Sequence, residues 1–161
     1  MIKTLEDNAT YEPSKRSSNW FKLKKDYMDS GSLVDSVDLV VVGGDWGKGK
    51  RAGVFGSYLL ACYDPSTGKY QTVTKVATGL SDENLQKMHS QFTSLVISAP
   101  HEDLVHKEME VDAWFEPKFV WEIRCADITL SPKYCASINL LKEDKGLALR
   151  FPRFIRARGD K

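Results

Sequence analysis

Residues 146–161 read GLALRFPRFIRARGDK. Leu147, Leu149 and Phe151 alternate with Ala148 and Arg150, the two-residue period of a strand with one apolar face. Pro152 cannot donate to a ladder, so the strand lies at a sheet edge or bulges there. Arg150, Arg153, Arg156 and Arg158 follow in quick succession, and the stretch closes on Gly159, Asp160 and Lys161. An unpaired guanidinium is costly to desolvate, so such a strand is not buried on both faces. Its cations suit phosphate oxygens.

Working outward, residues 119–130 make the preceding strand. Phe119, Trp121, Ile123 and Cys125 share one parity and Ile128 and Leu130 the other, which predicts a bulge near Ala126 and Asp127. Three more strands lie upstream: a buried apolar run at 37–43, then 54–63 and 69–77, the last two joined by an Asp-Pro-Ser-Thr-Gly turn at 64–68. A helix separates the third strand from the fourth. Ser81 is its N-cap, Asp82 and Glu83 suit the positive end of its dipole, and Leu85, Met88, Phe92 and Leu95 form one stripe. Five strands with a helix between the third and fourth give a mainly β fold with the order of an OB-fold, a partly open Greek-key barrel that commonly binds nucleic acid. Residues 98–117 read as an acidic, irregular insertion.

Residues 43–53 join the first two strands with five glycines and the cations Lys48, Lys50 and Arg51. Their spacing is not that of a phosphate-binding P-loop. A flexible loop of this kind either lies along a nucleic-acid backbone or is an ordinary solvated turn. Residues 26–36, with Gly31 and three serines, have a hinge-like composition, which divides the chain into 1–27 and 28–161. In the first part, 4–18 is a polar surface loop. A short strand follows it, with Trp20, Lys22 and Lys24 on one face and Phe21 and Leu23 on the other.

The 161 residues are 42% hydrophobic and 28% charged, a globular composition, and the formal net charge is +1. That near-neutral total hides local patches, which suits a nucleic-acid enzyme better than a protein gripping DNA by charge alone. Cys62, Cys125 and Cys135 are odd in number and lack C-x-x-C spacing, which speaks against a disulfide framework or zinc site and fits a reducing compartment. His89, His101 and His106 show no paired ligand spacing, so no metal site is expected. No apolar run approaches the roughly 20 residues needed to span a bilayer, so no membrane partner is expected.

The segment RFPRFIR, with the Arg158, Asp160 and Lys161 that follow it, resembles motif VI of the eukaryotic ATP-dependent DNA ligases of the replicative, nuclear type. NWFKLKKDY at 19–27 resembles motif V of that family, and Met1, Ile2 and Lys3 resemble the end of its motif IV. The resemblance runs nearly the length of the chain. It implies an OB domain preceded by the edge of an adenylation domain. Lys22 and Lys24 then reach the nucleotide phosphate, and Arg158, Asp160 and Lys161 serve the triphosphate during enzyme adenylation. It also implies DNA contact by Lys48, Lys50, Arg51, Arg150, Arg153 and Arg156. Phe151 is placed in the core by periodicity, whereas the resemblance places it in the minor groove beside a nick. Gly159 stands where the family often has glutamate.

The family joins nicked duplex DNA through a lysyl-adenylate, with ATP and Mg2+. Its nucleophile lies in a Lys-x-Asp-Gly motif that this sequence lacks. The expectation is therefore a C-terminal portion, inactive alone and binding no cofactor by itself, whose partners are nicked duplex DNA and the remaining domains of the same nuclear enzyme. Two other readings share the barrel: the OB domain of an mRNA-capping guanylyltransferase, and a stand-alone module stacking single-stranded bases on Trp46, Phe55 and Tyr58.

Overall fold

A computed structural model describes residues 2–15, 17, 19–21 and 36–161. They belong to two compact units, Met1–Ser32 and Leu33–Lys161. Lys22, Lys24 and the expected hinge, apart from Ser36, lie outside the described residues. In the first unit β1 (Ile2–Lys3) pairs antiparallel with β2 (Trp20–Phe21). The Lys3 ammonium lies 4.4 Å from the centre of the Trp20 ring.

The second unit is laid on β3 (Ser36–Trp46). Leu39 and Val41 project to one side of this strand, into the main core, while Val40 and Val42 project to the other, into a smaller cluster with Leu59, Ala61, Leu104 and Met109. Cover on both faces is why the run is continuously apolar rather than alternating. The chain continues through β4 (Phe55–Asp64), β5 (Lys69–Val76), α1 (Asp82–Thr93), the short strands β6 (Val96–Ile97), β7 (Leu104–Val105) and β8 (Ala113–Phe115), then β9 (Val120–Arg124), β10 (Asp127–Ser131), β11 (Gly146–Arg150) and β12 (Arg153–Arg158).

The ladders run β12–β9–β3–β4–β5, with β10–β11 as a separate pair. The remaining side is joined by hydrogen bonds rather than a long ladder. The amides of Cys135 and Ala136 donate to Thr72 O at 2.9 Å each, Leu147 N to Ala136 O at 2.7 Å, and Phe154 N to Thr78 O at 3.0 Å. Counting β9 with β10 and β11 with β12 as two bent strands, the neighbours follow the order of an OB-fold. Trp121, Tyr58, Phe55, Phe92 and Phe115 fill the interior, with Trp121 edge-on to both Tyr58 and Phe154 at 4.8 Å. Burial pushes the Tyr58 hydroxyl well above its ordinary pKa. The helix begins as expected: Ser81 Oγ accepts from Asn84 N at 3.2 Å, and Leu85, Met88 and Phe92 face the core.

Four expectations are corrected. The fourth strand does not run unbroken through 119–130 with a bulge; it leaves one sheet after Arg124 and joins another at Asp127, where Ile128 and Leu130 stay exposed instead of entering the core. The last stretch is likewise two strands, broken at Phe151 and Pro152. β3 continues through Gly43, Gly44 and Asp45 to Trp46, so the glycine-rich loop is shorter than expected and contains a 3-10 turn at Gly49–Arg51. Residues 98–117 are less irregular than expected. They carry β7 and β8 and lay Leu104 and Met109 over the outer face of β3 and β4, and Phe115 enters the main core.

Candidate functional site

The cations of β12 face outward because the strand carries a bulge. Strict alternation would put Arg156 and Arg158 on the same side as Phe154, which is buried against Trp121. The register shifts between Phe154 and Arg156, leaving Ile155 as an extra residue. Arg156 then lies opposite Glu122, and Arg158 opposite Val120, on the outer face they share with Ser36 and Asp38 of β3.

Two linked ion clusters result. Arg156 Nε donates to Glu122 Oε2 at 2.6 Å, and Ser36 Oγ donates to Glu122 Oε1 at 2.6 Å. These bonds, Ser36 first and then Arg156, hold the Glu122 carboxyl below its ordinary range. Beside them, Arg158 donates from Nε and Nη2 to Asp160 at 2.8 and 2.7 Å, and from Nη1 to both oxygens of Asp38 at 2.9 and 2.8 Å. Lys161 Nζ donates to the same Asp38 Oδ2 at 2.7 Å. The Arg158 guanidinium keeps Asp160 far below the carboxylate range, and Asp160 in turn raises Arg158. The structure thus brings Arg158, Asp160 and Lys161 together around Asp38, with Glu122 beside them. The signal for Asp38 was a lone carboxylate inside an apolar strand.

A second group gathers where β5 meets β12. Arg51 Nη1 and Nη2 donate to the carbonyls of Ala77 and Leu80 at 2.9 and 3.4 Å. Thr78 Oγ1 donates to Pro152 O at 2.7 Å. Gly79 has φ +85°, and a Cβ there would collide with the Phe154 carbonyl, so the close approach requires glycine. Residues 77–80 therefore bring Arg51 into the neighbourhood of Pro152 and Arg153, although a hundred residues separate them in sequence. Phe151 next to them is 45% exposed and has φ +51°, a left-handed conformation rare for aromatics. This overturns its placement in the core by periodicity: the positive φ turns the ring outward, where the Arg150 guanidinium lies 5.0 Å from its centre.

Lys48 and Lys50 are exposed, and among the described residues neither forms an ion pair. Trp46, at the end of β3, is half exposed and stacks on Phe55 at 4.5 Å. Its amide donates to Asp112 Oδ2 at 2.7 Å, an anchor supplied by the acidic segment. The loop borders an open cleft of about 550 Å³ lined by Trp46, Lys48, Arg51, Lys75, Glu110 and Asp112, with the Lys75–Asp45 ion pair at 2.9 Å in its wall. Phe55 and Tyr58, suggested above as stacking surfaces, are buried and offer no free face. Among the described residues no three metal-ligating side chains gather.

Residues 51–161 match the family described as "ATP dependent DNA ligase C terminal region". The whole chain is 48% identical to part of DNA ligase 1 of Schizosaccharomyces pombe, covering 21% of that protein, and 50% identical to part of DNA ligase 1 of Arabidopsis thaliana, covering 20%. The chain therefore spans about a fifth of the length of these curated relatives. Among solved structures it resembles the ligase domain of M. tuberculosis LigD, with 23% identity, a TM-score of 0.61, and 94% of this chain matched to 41% of that one.

Proposed function

Since the chain belongs to the family of C-terminal regions of ATP-dependent DNA ligases, we propose that it is the OB-fold part of a nuclear enzyme that seals nicks in duplex DNA during replication and repair. The observation that carries this reading is the layout of charge along β3. Asp38, near the start of the strand, gathers Arg158 and Lys161, the pair suited to the phosphates of ATP. Beyond its end, at Trp46, begins the loop of Lys48 and Lys50, suited to a DNA backbone. Eight residues of strand separate the two, roughly 26 Å at about 3.3 Å per residue.

Cations beside a triphosphate compensate the charge that builds on the leaving pyrophosphate. Cations along a backbone position the duplex but do no chemistry. The domain therefore serves ATP with one end of β3 and DNA with the other, and turns between them. Residues 26–36 supply the hinge, and Lys22 and Lys24 complete the nucleotide contacts from the floor of the adenylate pocket. The lysine nucleophile and the ligands for Mg2+ belong to the rest of the enzyme. Without the nucleophile this chain does not ligate alone. The similarity runs to DNA ligases, which sets aside guanylyl transfer and stand-alone single-strand binding.

The test separates the two ends in a full-length enzyme carrying this segment. Arg158→Ala with Lys161→Ala should cut formation of the enzyme adenylate by two orders of magnitude or more, on the order of removing a transition-state charge donor. Sealing of a pre-adenylated nick should remain. Lys48→Ala with Lys50→Ala should do the reverse. Loss of the same step by similar factors in both variants would refute the two-ended reading.

A further inference from the structure

Arg158 is not a free cation waiting for phosphate. Its four hydrogen bonds to Asp38 and Asp160 engage all three guanidinium nitrogens, and the two to Asp38 come from the same Nη1. Lys161 gives one of its three to Asp38. At least one N–H of Arg158 and two of Lys161 are left. Asp38 Oδ2 accepts from both residues, and it is the only atom among the described residues to do so. Two like charges brought together repel, and holding a lysine side chain in one place costs rotamer entropy. A shared carboxylate meets both costs before any ligand arrives. The site is also sheltered: the side chains of Arg158 and Asp38 are 17% and 23% exposed.

We infer that Asp38 is a positioning residue for the nucleotide step, holding Arg158 and Lys161 side by side so that their remaining donors meet neighbouring phosphate oxygens together. This rests on the proposed role of Arg158 and Lys161 toward ATP. Asp38 itself makes no contact with nucleotide, because two carboxylate oxygens already facing cations have nothing to offer a phosphate. Its place on β3 matters. Asp38 is held in the ladder to β9, opposite Glu122, and from Val40 onward the first barrel strand is paired on both sides, so the position of the cations is set by the barrel rather than by the end of β12.

The experiment uses a full-length ligase carrying this segment, with labelled ATP for adenylate formation and a pre-adenylated nick for sealing. Asp38→Asn keeps the size and one oxygen but removes the charge. It should raise KM for ATP about tenfold, leave kcat of adenylate formation within about threefold, and leave sealing of the pre-adenylated nick intact. Asp38→Glu, which restores the carboxylate, should recover most of the affinity. A variant that loses both steps alike marks Asp38 as a folding residue and overturns the inference. So does an unchanged KM in Asp38→Asn where Arg158→Ala with Lys161→Ala raises it, and so does a lowered KM, which would make Asp38 a competitor of phosphate. If the double alanine variant itself forms adenylate normally, the nucleotide reading of this end fails, and the inference falls with it.

Discussion

Phe151 and Phe154 stand three residues apart and have opposite surroundings. Phe154 is packed edge-on to Trp121 in the core, and Phe154→Ala should cost about 3–5 kcal/mol. Phe151→Gly removes a ring that is 45% exposed and should cost clearly less than that. It relieves a left-handed conformation worth about 1–2 kcal/mol. It forfeits a cation–π contact of about 0.5–1 kcal/mol and loosens the unfolded chain by a similar amount. Urea unfolding of the two variants checks the contrast. Alternation grouped Phe151 with Leu147 and Leu149 because a side-chain pattern does not reveal the sign of φ. Pro152 announced an interruption without announcing its hand. Arg158 and Lys161, the cations proposed for the nucleotide, stood out as residues, but their shared acceptor Asp38 did not, since it comes from a strand 120 residues away.

At the scale of elements, the barrel was legible in number and order of strands because each apolar run and turn carries a local signal. The two corners were not. One-residue parity shifts mark either a bulge within a ladder or a change of sheet, and only the pairing decides which. The same parity argument, which near Ala126 expected a bulge where the chain in fact changes sheet, applies more directly to β12. Phe154, Arg156 and Arg158 share parity there, and an aromatic and two arginines cannot share a core-facing side. The bulge at Ile155 resolves that conflict. It yields a sharp prediction. Deleting Ile155 leaves a regular ladder in which Arg156 and Arg158 still face outward, so the barrel should fold and form adenylate in the full-length enzyme. Inserting one alanine between Arg156 and Ala157 turns Arg158 inward, and should both lower the unfolding midpoint and abolish adenylate formation. Equal behaviour of the two variants would mean that the parity of β12 does not set the site.

At the scale of the whole molecule, the loop after β3, proposed to face DNA, borders an open cleft rather than a deep groove. Lys48 and Lys50 are the cleaner probes of this action, because Arg51 also holds residues 77–80 together. Replacing both lysines with alanine should flatten the slope of log affinity for nicked duplex against log salt by up to about two units. An unchanged slope would make the loop a simple turn. The other end of β3 behaves differently. Asp38, Glu122 and Asp160 stand against Arg156, Arg158 and Lys161, three negative groups facing three positive ones. Seen from afar, such a group is a multipole, whose field decays faster than that of a lone charge, and salt with a Debye length of about 8 Å erases what remains. It cannot draw an anion out of bulk solvent; it discriminates only on touch. On the proposed reading the same strand carries a collector of distant polyanions at one tip and a contact sensor at the other, so raising the ionic strength should blunt the first while leaving the second nearly untouched.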